Sequence, residues 1–372
     1  MTAPLRVLEV APRYFPDLGG TESHVHEVTT RMVHEPDLEL TVLATDRSGR
    51  LPRTERADEG FDIVRRRAYP QSRDYYLAPG IARVITRGDW DLVHFQGVHT
   101  FVPIVGMAAA ARAGVPYVLT FHTGGHSAPS RTAIRDTQWR ALTPLLRRAR
   151  RLIAVSRYER TRFEQATGID ASHFTVIRNG GSLPELTEPV SPVPGRIVSS
   201  GRLERYKGHH RVIEALPLLR QSDPDAHLVI LGGGPYEGEL RALADRCGVA
   251  EHVQIRQVDP RDRGAMAREL AGAQVLAALS DYEAHPVAVM EGLTLGVPVV
   301  GFDVAGIGDL VEDGLVTGLP ITAGAGQVAA AVATAMRGPR GDNLAATDFP
   351  TWDACARQLS EVYRAEARRP GA

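Results

Sequence analysis

The stretch RIVSSGRLERYKGHHRVIEALPLLRQ, residues 196–221, decides how the chain is read. RIVSS has the β-branched, apolar character of a short buried strand, and HHRVIEALPLLRQ carries apolar residues at helical spacing. The charged segment between them opens and closes on glycine. A strand leading through such a loop into a helix is half of a βαβ unit, and a chain that repeats it folds as parallel α/β. The unit does repeat. Upstream, RVLEVA, LELTVLAT, FDIVRRR, DLVHFQG, PYVLTFH, LIAVS and FTVIRNG alternate with helical patterns; downstream, HLVILGGG, VQIRQV, QVLAALS and VPVVGFD do the same.

At 372 residues the chain exceeds the usual size of a single core, so two α/β domains are expected. The proline-rich LPELTEPVSPVPG, residues 183–195, shows no apolar periodicity and reads as an extended linker. The expected domains are therefore 1–182 and 196–349. In the remaining segment, 350–372, WDACARQLSEVYRAE follows the turn-like DFP and has the spacing of a terminal amphipathic helix.

Hydrophobic residues make up 43% and charged residues 23%, as in soluble globular proteins. A net charge of −1 provides no overall attraction to nucleic acid or anionic lipid, so partners must be recognised locally. Cys247 and Cys355 lie far apart without C-x-x-C spacing, which argues against a disulfide framework or a structural zinc site. No secretory pattern opens the chain, and its longest apolar run, FVPIVGMAAAA, stops at Arg112. A cytoplasmic location is expected.

Of 43 basic residues, Lys207 is the only lysine. Where arginine is the default cation, a retained lysine is informative. Arg202 and Lys207 follow the strand RIVSS, at the C-terminal sheet edge where open parallel sheets bind ligands. Arginine offers a flat fork to paired oxygens and lysine a compact point charge, a combination suited to a diphosphate; the alternative is salt bridging on a solvated loop. After the first strand, Gly19 and Gly20 precede a helix for which Thr21 is a candidate cap. Paired glycines admit close ligand approach and the helix N-terminus offers N–H groups to an anion, or the pair simply makes a tight turn.

In SDYEAHPVAVMEG, Glu283 sits at the loop entering a helix and Glu291 about one and a half turns inside it, with Pro286 in the first turn. Carboxylates accept hydrogen bonds from paired hydroxyls, as on sugars and riboses. Glu283 could equally be a helix-start acid, whereas Glu291 stands in apolar surroundings where a lone buried carboxylate is costly. His122 ends PYVLTFH beside the glycines of TGGHS, either as a ligand contact or as a structural histidine. His94 reads as structural, and Asn179 with Gly180 as a turn at the crossover.

Asp223 and Asp225 have the spacing of a metal-binding pair, but their place before a strand reads as a turn, and no metal is expected. Gly232, Gly233 and Gly234 complete no G-x-G-x-x-G, and the chain holds no P-loop pattern, so dehydrogenase and P-loop ATPase readings fall away. A basic helix across 135–157, with Trp139, Arg147, Arg148, Arg150 and Arg151, could rest on anionic lipid or could pack its leucines on the sheet.

Taken in order, P-x-x-G-G-T-E, G-R-L-x-x-x-K-G and E-x7-E followed by G-V-P-V-V resemble the retaining GT-B glycosyltransferases of the large family that includes sucrose synthases and phosphatidylinositol mannosyltransferases. The resemblance spans nearly the whole chain. It implies two Rossmann-like domains facing a cleft, with the donor held mainly by the second, the acceptor mainly by the first, and the terminal helix with Trp352 crossing back to the first. Arg202 and Lys207 would bind the donor diphosphate, approached by Gly19 and Gly20. Glu291 would hold the ribose, Glu283 the donor-sugar hydroxyls, and His122 would sit beside the transferred sugar, so that His122, Lys207, Arg202 and Glu283 form the catalytic set. Gly233, His285, Pro286, Val287 and Ala288 would complete the donor site. The sequence departs from the family at His285, at Asn179-Gly180-Gly181-Ser182 and at Asp309.

The resemblance further implies front-face, metal-independent hexosyl transfer from a nucleotide sugar, with no cofactor. UDP is expected from family frequency and a small molecule such as a secondary-metabolite intermediate as acceptor. The alternatives are a lipid acceptor at the membrane surface, a sugar-nucleotide epimerase or hydrolase, and a non-catalytic sugar-nucleotide-binding subunit.

Overall fold

The computed structural model describes residues 3–17, 19–71, 76–123, 129–259, 262–341 and 349–368, with only the backbone described over 129–136. It comprises two compact units, one drawn from Met1–Thr123, Ser130–Asn179 and Trp352–Ala372, the other from Gly124–Pro129 and Gly180–Thr351.

The first unit runs β1 (Leu5–Val10), α1 (Gly20–Met32), β2 (Leu38–Asp46), β3 (Thr54–Arg56), β4 (Asp62–Arg67), α2 (Gly80–Arg87), β5 (Leu92–Gln96), α3 (Phe101–Ala113), β6 (Tyr117–Thr120), α4 (Pro129–Leu146), β7 (Arg151–Ala154), α5 (Arg157–Thr167) and β8 (Phe174–Val176). Its sheet has the order β3-β4-β2-β1-β5-β6-β7-β8 and is parallel except where β3 meets β4. β5 and β6 are buried at every residue, as expected of strands covered on both faces. The apolar run noted above becomes α3: Thr100 caps it by accepting from the Val102 N–H, and Gly114 ends it in the left-handed region at φ 66°. Phe121 stacks on Phe163 at 3.6 Å between centroids, with Trp139 at 4.4 Å from Phe163.

The second unit runs β9 (Arg196–Ser200), α6 (His209–Ser222), β10 (His227–Leu231), α7 (Glu237–Arg246), β11 (Val253–Arg256), α8 (Arg263–Ala271), β12 (Val275–Ala278), α9 (Val287–Thr294), β13 (Val299–Phe302), α10 (Ala305–Glu312), β14 (Thr317–Leu319) and α11 (Ala325–Arg337). Its sheet order is β11-β10-β9-β12-β13-β14, parallel throughout. Val212, Ile213, Leu216 and Leu219 of α6 are buried against one face, and Val289, Met290 and Leu293 of α9 against the other.

The last helix, α12 (Trp352–Glu366), belongs to the first unit, where it packs along α1. Arg31 Nε donates to Asp353 at 2.6 Å, Ser360 Oγ to Glu35 at 2.6 Å, and Arg364 Nε to Asp37 at 2.7 Å. Trp352 and Tyr363 are fully buried.

Four details differ from the sequence reading. β3 and β14 are absent from it, because each is three residues long, largely exposed and without an apolar signature. The basic segment is not one helix: α4 stops at Leu146, and Arg151 already lies in β7, where its guanidinium donates to Ser172 O at 2.7 Å and pairs with Glu366 at 3.0 Å. The chain passes between units at Asn179 and Gly180, ahead of the proline-rich 183–195. That segment is tied to the second unit, with the Val193 N–H donating to Gly272 O at 2.9 Å and the Gly195 N–H to Gln274 Oε1 at 2.7 Å. Its prolines lie in irregular backbone on the second unit's side of that point. Finally, Thr21 is inside α1, whose cap position is Gly19.

Candidate functional site

In the second unit β9 has β10 on one side and β12 on the other, so the strand order reverses beside it. Ligands of open α/β sheets bind outside the strand C-termini at such a switch point. The loop after β9 carries Arg202 and Lys207, and the loop after β12 carries Glu283. These two loops are joined there. Lys207 Nζ donates to Glu283 Oε1 at 2.5 Å, Ser280 Oγ donates to the same oxygen at 3.0 Å, and the Asp281 N–H reaches Tyr206 O at 2.7 Å. Burial works against the Lys207 ammonium, but the Glu283 carboxylate more than compensates, and the lysine's pKa is raised. The switch point therefore holds a permanent cation beside a carboxylate.

Gly208 makes this arrangement possible. It lies at φ 75°, and a Cβ there would fall 1.8 Å from Leu279 O. Arg202 is far more open, its side chain 66% exposed, with Nη1 at 3.3 Å from Glu204. His209, which opens α6, holds the arginine's backbone: Nε2 donates to Arg202 O at 3.3 Å while Nδ1 accepts from Ser199 Oγ at 2.8 Å. Burial lowers the His209 pKa to about 4, keeping the ring neutral.

The glycine triplet after β10 has an internal explanation in part. A Cβ at Gly232 would meet Gly201 O at 2.0 Å and one at Gly234 would meet Leu203 O at 2.5 Å, so these two are required by loop packing. At Gly233 the obstacle is only the mobile end of the Gln257 side chain. Along the β12–α9 loop, His285 and Pro286 are buried, and Val287 and Ala288 are half-buried in the first turn of α9. Glu291 is buried, and Arg263 at the start of α8 donates to it through Nη2. The same Nη2 lies 3.3 Å from Ser182 O. Arg263 is thus the counter-charge that the sequence reading lacked, hidden among the chain's many arginines.

In the first unit the order reverses at β1 and β5. Gly19 and Gly20 follow β1 at the start of α1, and His122 follows β6. A Cβ at Gly20 would meet nothing within 4 Å, whereas one at Gly19 would lie 2.5 Å from Glu22 Oε2. Glu22 itself is buried and paired with Arg13 at 2.9 Å. Packing within the protein therefore explains Gly19 but gives no reason for Gly20. His122 has φ 48°, unusual for a side-chain-bearing residue, and its carbonyl is held by His99 Nε2 at 3.1 Å. Its ring Nε2 is 2.7 Å from Gln96 Oε1, and its ring plane meets that of His24 edge-on at 4.5 Å. Burial, reinforced by His24, His94 and His99, holds its pKa well below the usual imidazole range. Gly124 and Gly125, which the sequence reading placed beside His122, lie outside the described residues.

His94 and Asn179 have structural partners, as read from sequence. His94 bonds Tyr363 and Thr120, and Asn179 Oδ1 accepts from His24 Nδ1 at 2.9 Å. Asp223 and Asp225 form the expected turn, closed by the Asp225 N–H on Asp223 Oδ1 at 3.2 Å. Among the described residues no helix is long and apolar enough to cross a membrane. Sequence reading missed the buried Gln96, which contacts His122, and the buried Glu9 bonded to Gln96, although a glutamate inside the apolar strand LRVLEV carries the same signal that singled out Glu291.

The sequence profile of Glycosyltransferase Family 4 matches residues 18–182, and that of Glycosyl transferases group 1 matches residues 191–346. A GDP-mannose-dependent alpha-(1-6)-phosphatidylinositol monomannoside mannosyltransferase from Mycobacterium tuberculosis is 30% identical over 346 residues, covering 86% of this chain and 80% of that protein. Among solved structures, sucrose-phosphate synthase from Thermosynechococcus elongatus superposes with a TM-score of 0.76 at 17% identity, covering 97% of this chain and 98% of that one. Anabaena Alr3699/HepE in complex with UDP and glucose gives 0.73 at 21% identity, covering 97% and 100%. The structural likenesses concern the fold; the sequence identity, sustained over both matched regions, goes further. The chain belongs to the glycosyltransferases of group 1 and family 4, and its two Rossmann-like units are those of the GT-B fold.

Proposed function

We propose that the protein transfers a hexosyl group, with retention of anomeric configuration, from a nucleoside diphosphate sugar to an acceptor hydroxyl. The observation that carries this reading is Lys207, a half-buried lysine held at the switch point by Glu283. In the transfer, the bond from the sugar C1 to the diphosphate oxygen breaks and a bond from C1 to the acceptor oxygen forms on the same face. The acceptor proton passes to the departing phosphate oxygen. Charge grows on the diphosphate as it leaves, and Arg202 and Lys207 stabilise it electrostatically without a divalent ion. Glu283 is shared between Lys207 and the donor-sugar hydroxyls, Glu291 with Arg263 receives the ribose, and His122 lies beside the transferred sugar. In the second unit Gly233 and residues 285–288 are assigned to donor contact, and in the first unit Gly19 and Gly20 are assigned to phosphate contact.

UDP is the nucleotide expected from family frequency. The relative at 30% identity is GDP-mannose-dependent, which supports GDP-mannose as a second reading. A small-molecule acceptor is favoured over a membrane lipid because Trp139, Leu142 and Leu146 of α4 are buried in the core, leaving Arg147, Arg148 and Arg150 as a solvated edge. The deciding experiment is thermal stabilisation by UDP-, GDP-, ADP- and dTDP-sugars, with and without EDTA, followed by transfer assays with the nucleotide that binds. Stabilisation by one class, undiminished by EDTA, supports the reading. No stabilisation by any of them refutes it, and consumption of donor without an acceptor would redirect it to an epimerase or hydrolase.

A further inference from the structure

The first unit buries a line of polar side chains that the transfer scheme does not use. Glu9, in the middle of β1 and fully buried, accepts from Gln96 Nε2 at 2.7 Å through Oε2 and from the Tyr363 hydroxyl through Oε1. Gln96, at the end of β5, presents Oε1 to His122 Nε2 at 2.7 Å. The Tyr363 oxygen also lies 2.6 Å from His94 Nδ1, and His94 Nε2 lies 2.7 Å from Thr120 Oγ1.

The chemistry of these groups sets the direction of the bonds to Glu9 and to His122. An ionised carboxylate offers only acceptors. Burial alone would raise the Glu9 pKa, yet its bonds with His94, Tyr363 and Gln96 lower it, so the carboxylate is ionised. Glu9 therefore turns the Gln96 amide so that the NH2 faces the carboxylate and the carbonyl faces His122. That carbonyl can only accept, and the ring must donate through Nε2. Likewise Tyr363 gives its proton to Glu9, and His94 Nδ1, 3.1 Å from Glu9 Oε1 and 2.6 Å from the Tyr363 oxygen, donates towards both. Each of these donors points towards Glu9.

We propose that Glu9 and Gln96 are positioning residues that fix His122 as the neutral Nε2–H tautomer, so that Nδ1 accepts a hydrogen bond from a hydroxyl of the transferred sugar. The tautomer half stands on the Glu9–Gln96–His122 geometry and the ionised carboxylate; the sugar half rests on the glycosyl-transfer reading above. The backbone supports the same end, since the left-handed φ of His122 and the His99 contact to its carbonyl hold the ring's base in place.

The test is 15N NMR of the full chain labelled at histidine, with the His122 signals identified by their loss in His122→Asn. Wild type is expected to show a protonated Nε2 and a bare Nδ1 at pH 7. A protonated Nδ1, or a doubly protonated ring, would overturn the proposal without recourse to any variant. In Gln96→Leu and in Glu9→Gln, whose amide lets Gln96 turn over, the single tautomer should give way to a mixture, and kcat should fall about tenfold more than donor KM changes. A tautomer unchanged in both folded variants would remove Glu9 and Gln96 from the role. The fixed tautomer together with no transfer from any nucleotide sugar would overturn the sugar half along with the reading it rests on, and leave the tautomer half standing.

Discussion

Lys207 and Glu283, 76 residues apart in sequence, meet at 2.5 Å across the point where the strand order of the second unit reverses. The pair holds the lysine extended in one place before any ligand arrives, so little side-chain entropy remains to be lost when a diphosphate binds.

Replacing Lys207 by alanine removes a fixed cation whose interaction strengthens as charge moves onto the leaving group. Turnover is expected to fall about 10²–10³-fold, with a smaller change in donor KM. Steady-state kinetics over a donor series checks this; an unchanged kcat would exclude the lysine from the transition state.

Gly20→Ala separates a ligand contact from a folding requirement. A Cβ there meets open space in the protein, and alanine is the better helix former, so the melting temperature should hold or rise slightly. Donor affinity should drop about tenfold or more if the donor phosphate approaches this backbone. Unchanged affinity by titration calorimetry would show that Gly20 faces no ligand.

Arg263→Met strips the counter-charge from the buried Glu291. Because the arginine is itself partly exposed, the loss of stability should be about 1–2 kcal/mol, well short of that for a fully buried pair. Glu291→Ala should instead act mainly on donor affinity. Equal donor binding by wild type and Glu291→Ala would dismiss the ribose role.

Acid should destabilise the fold through its neutral histidines. His24 and His209 are buried with pKa values lowered to about 4, chiefly by desolvation. As pH falls below about 6.5 the unfolded chain takes up protons that the folded rings refuse, so stability is lost down to about pH 4 and then levels off. Each ring contributes about 2 kcal/mol of this loss by pH 5. Melting curves from pH 7 to 5 should show the decline, and His209→Gln should flatten it; a slope identical to wild type would contradict the assignment.

The order of strands and helices was legible because buried parallel strands advertise themselves as apolar, β-branched runs. β3 and β14 carried no such mark, and the end of α4 was obscured because Arg147 to Arg151 continue a helix-compatible composition into β7. At the site, Lys207 was visible through its rarity and Glu291 through its apolar flanks. Their partners were not legible, since Lys207 to Glu283 and Glu291 to Arg263 are pairings across loops that only the sheet order brings together. Arg263 had no distinction among 43 basic residues. Glu9 did, and the cost of burying its carboxylate was the sign of a partner network.

That network joins Glu9 to Tyr363, 354 residues later in the chain. During synthesis, the strand bearing Glu9 leaves the ribosome long before the helix that completes its surroundings has been translated. A nascent or prematurely terminated chain would therefore carry a first unit with an unclosed core and an unsated carboxylate, exposed to chaperones and proteases. Only a chain translated through α12 closes it, so the position of that helix makes its synthesis a condition for the first unit to mature.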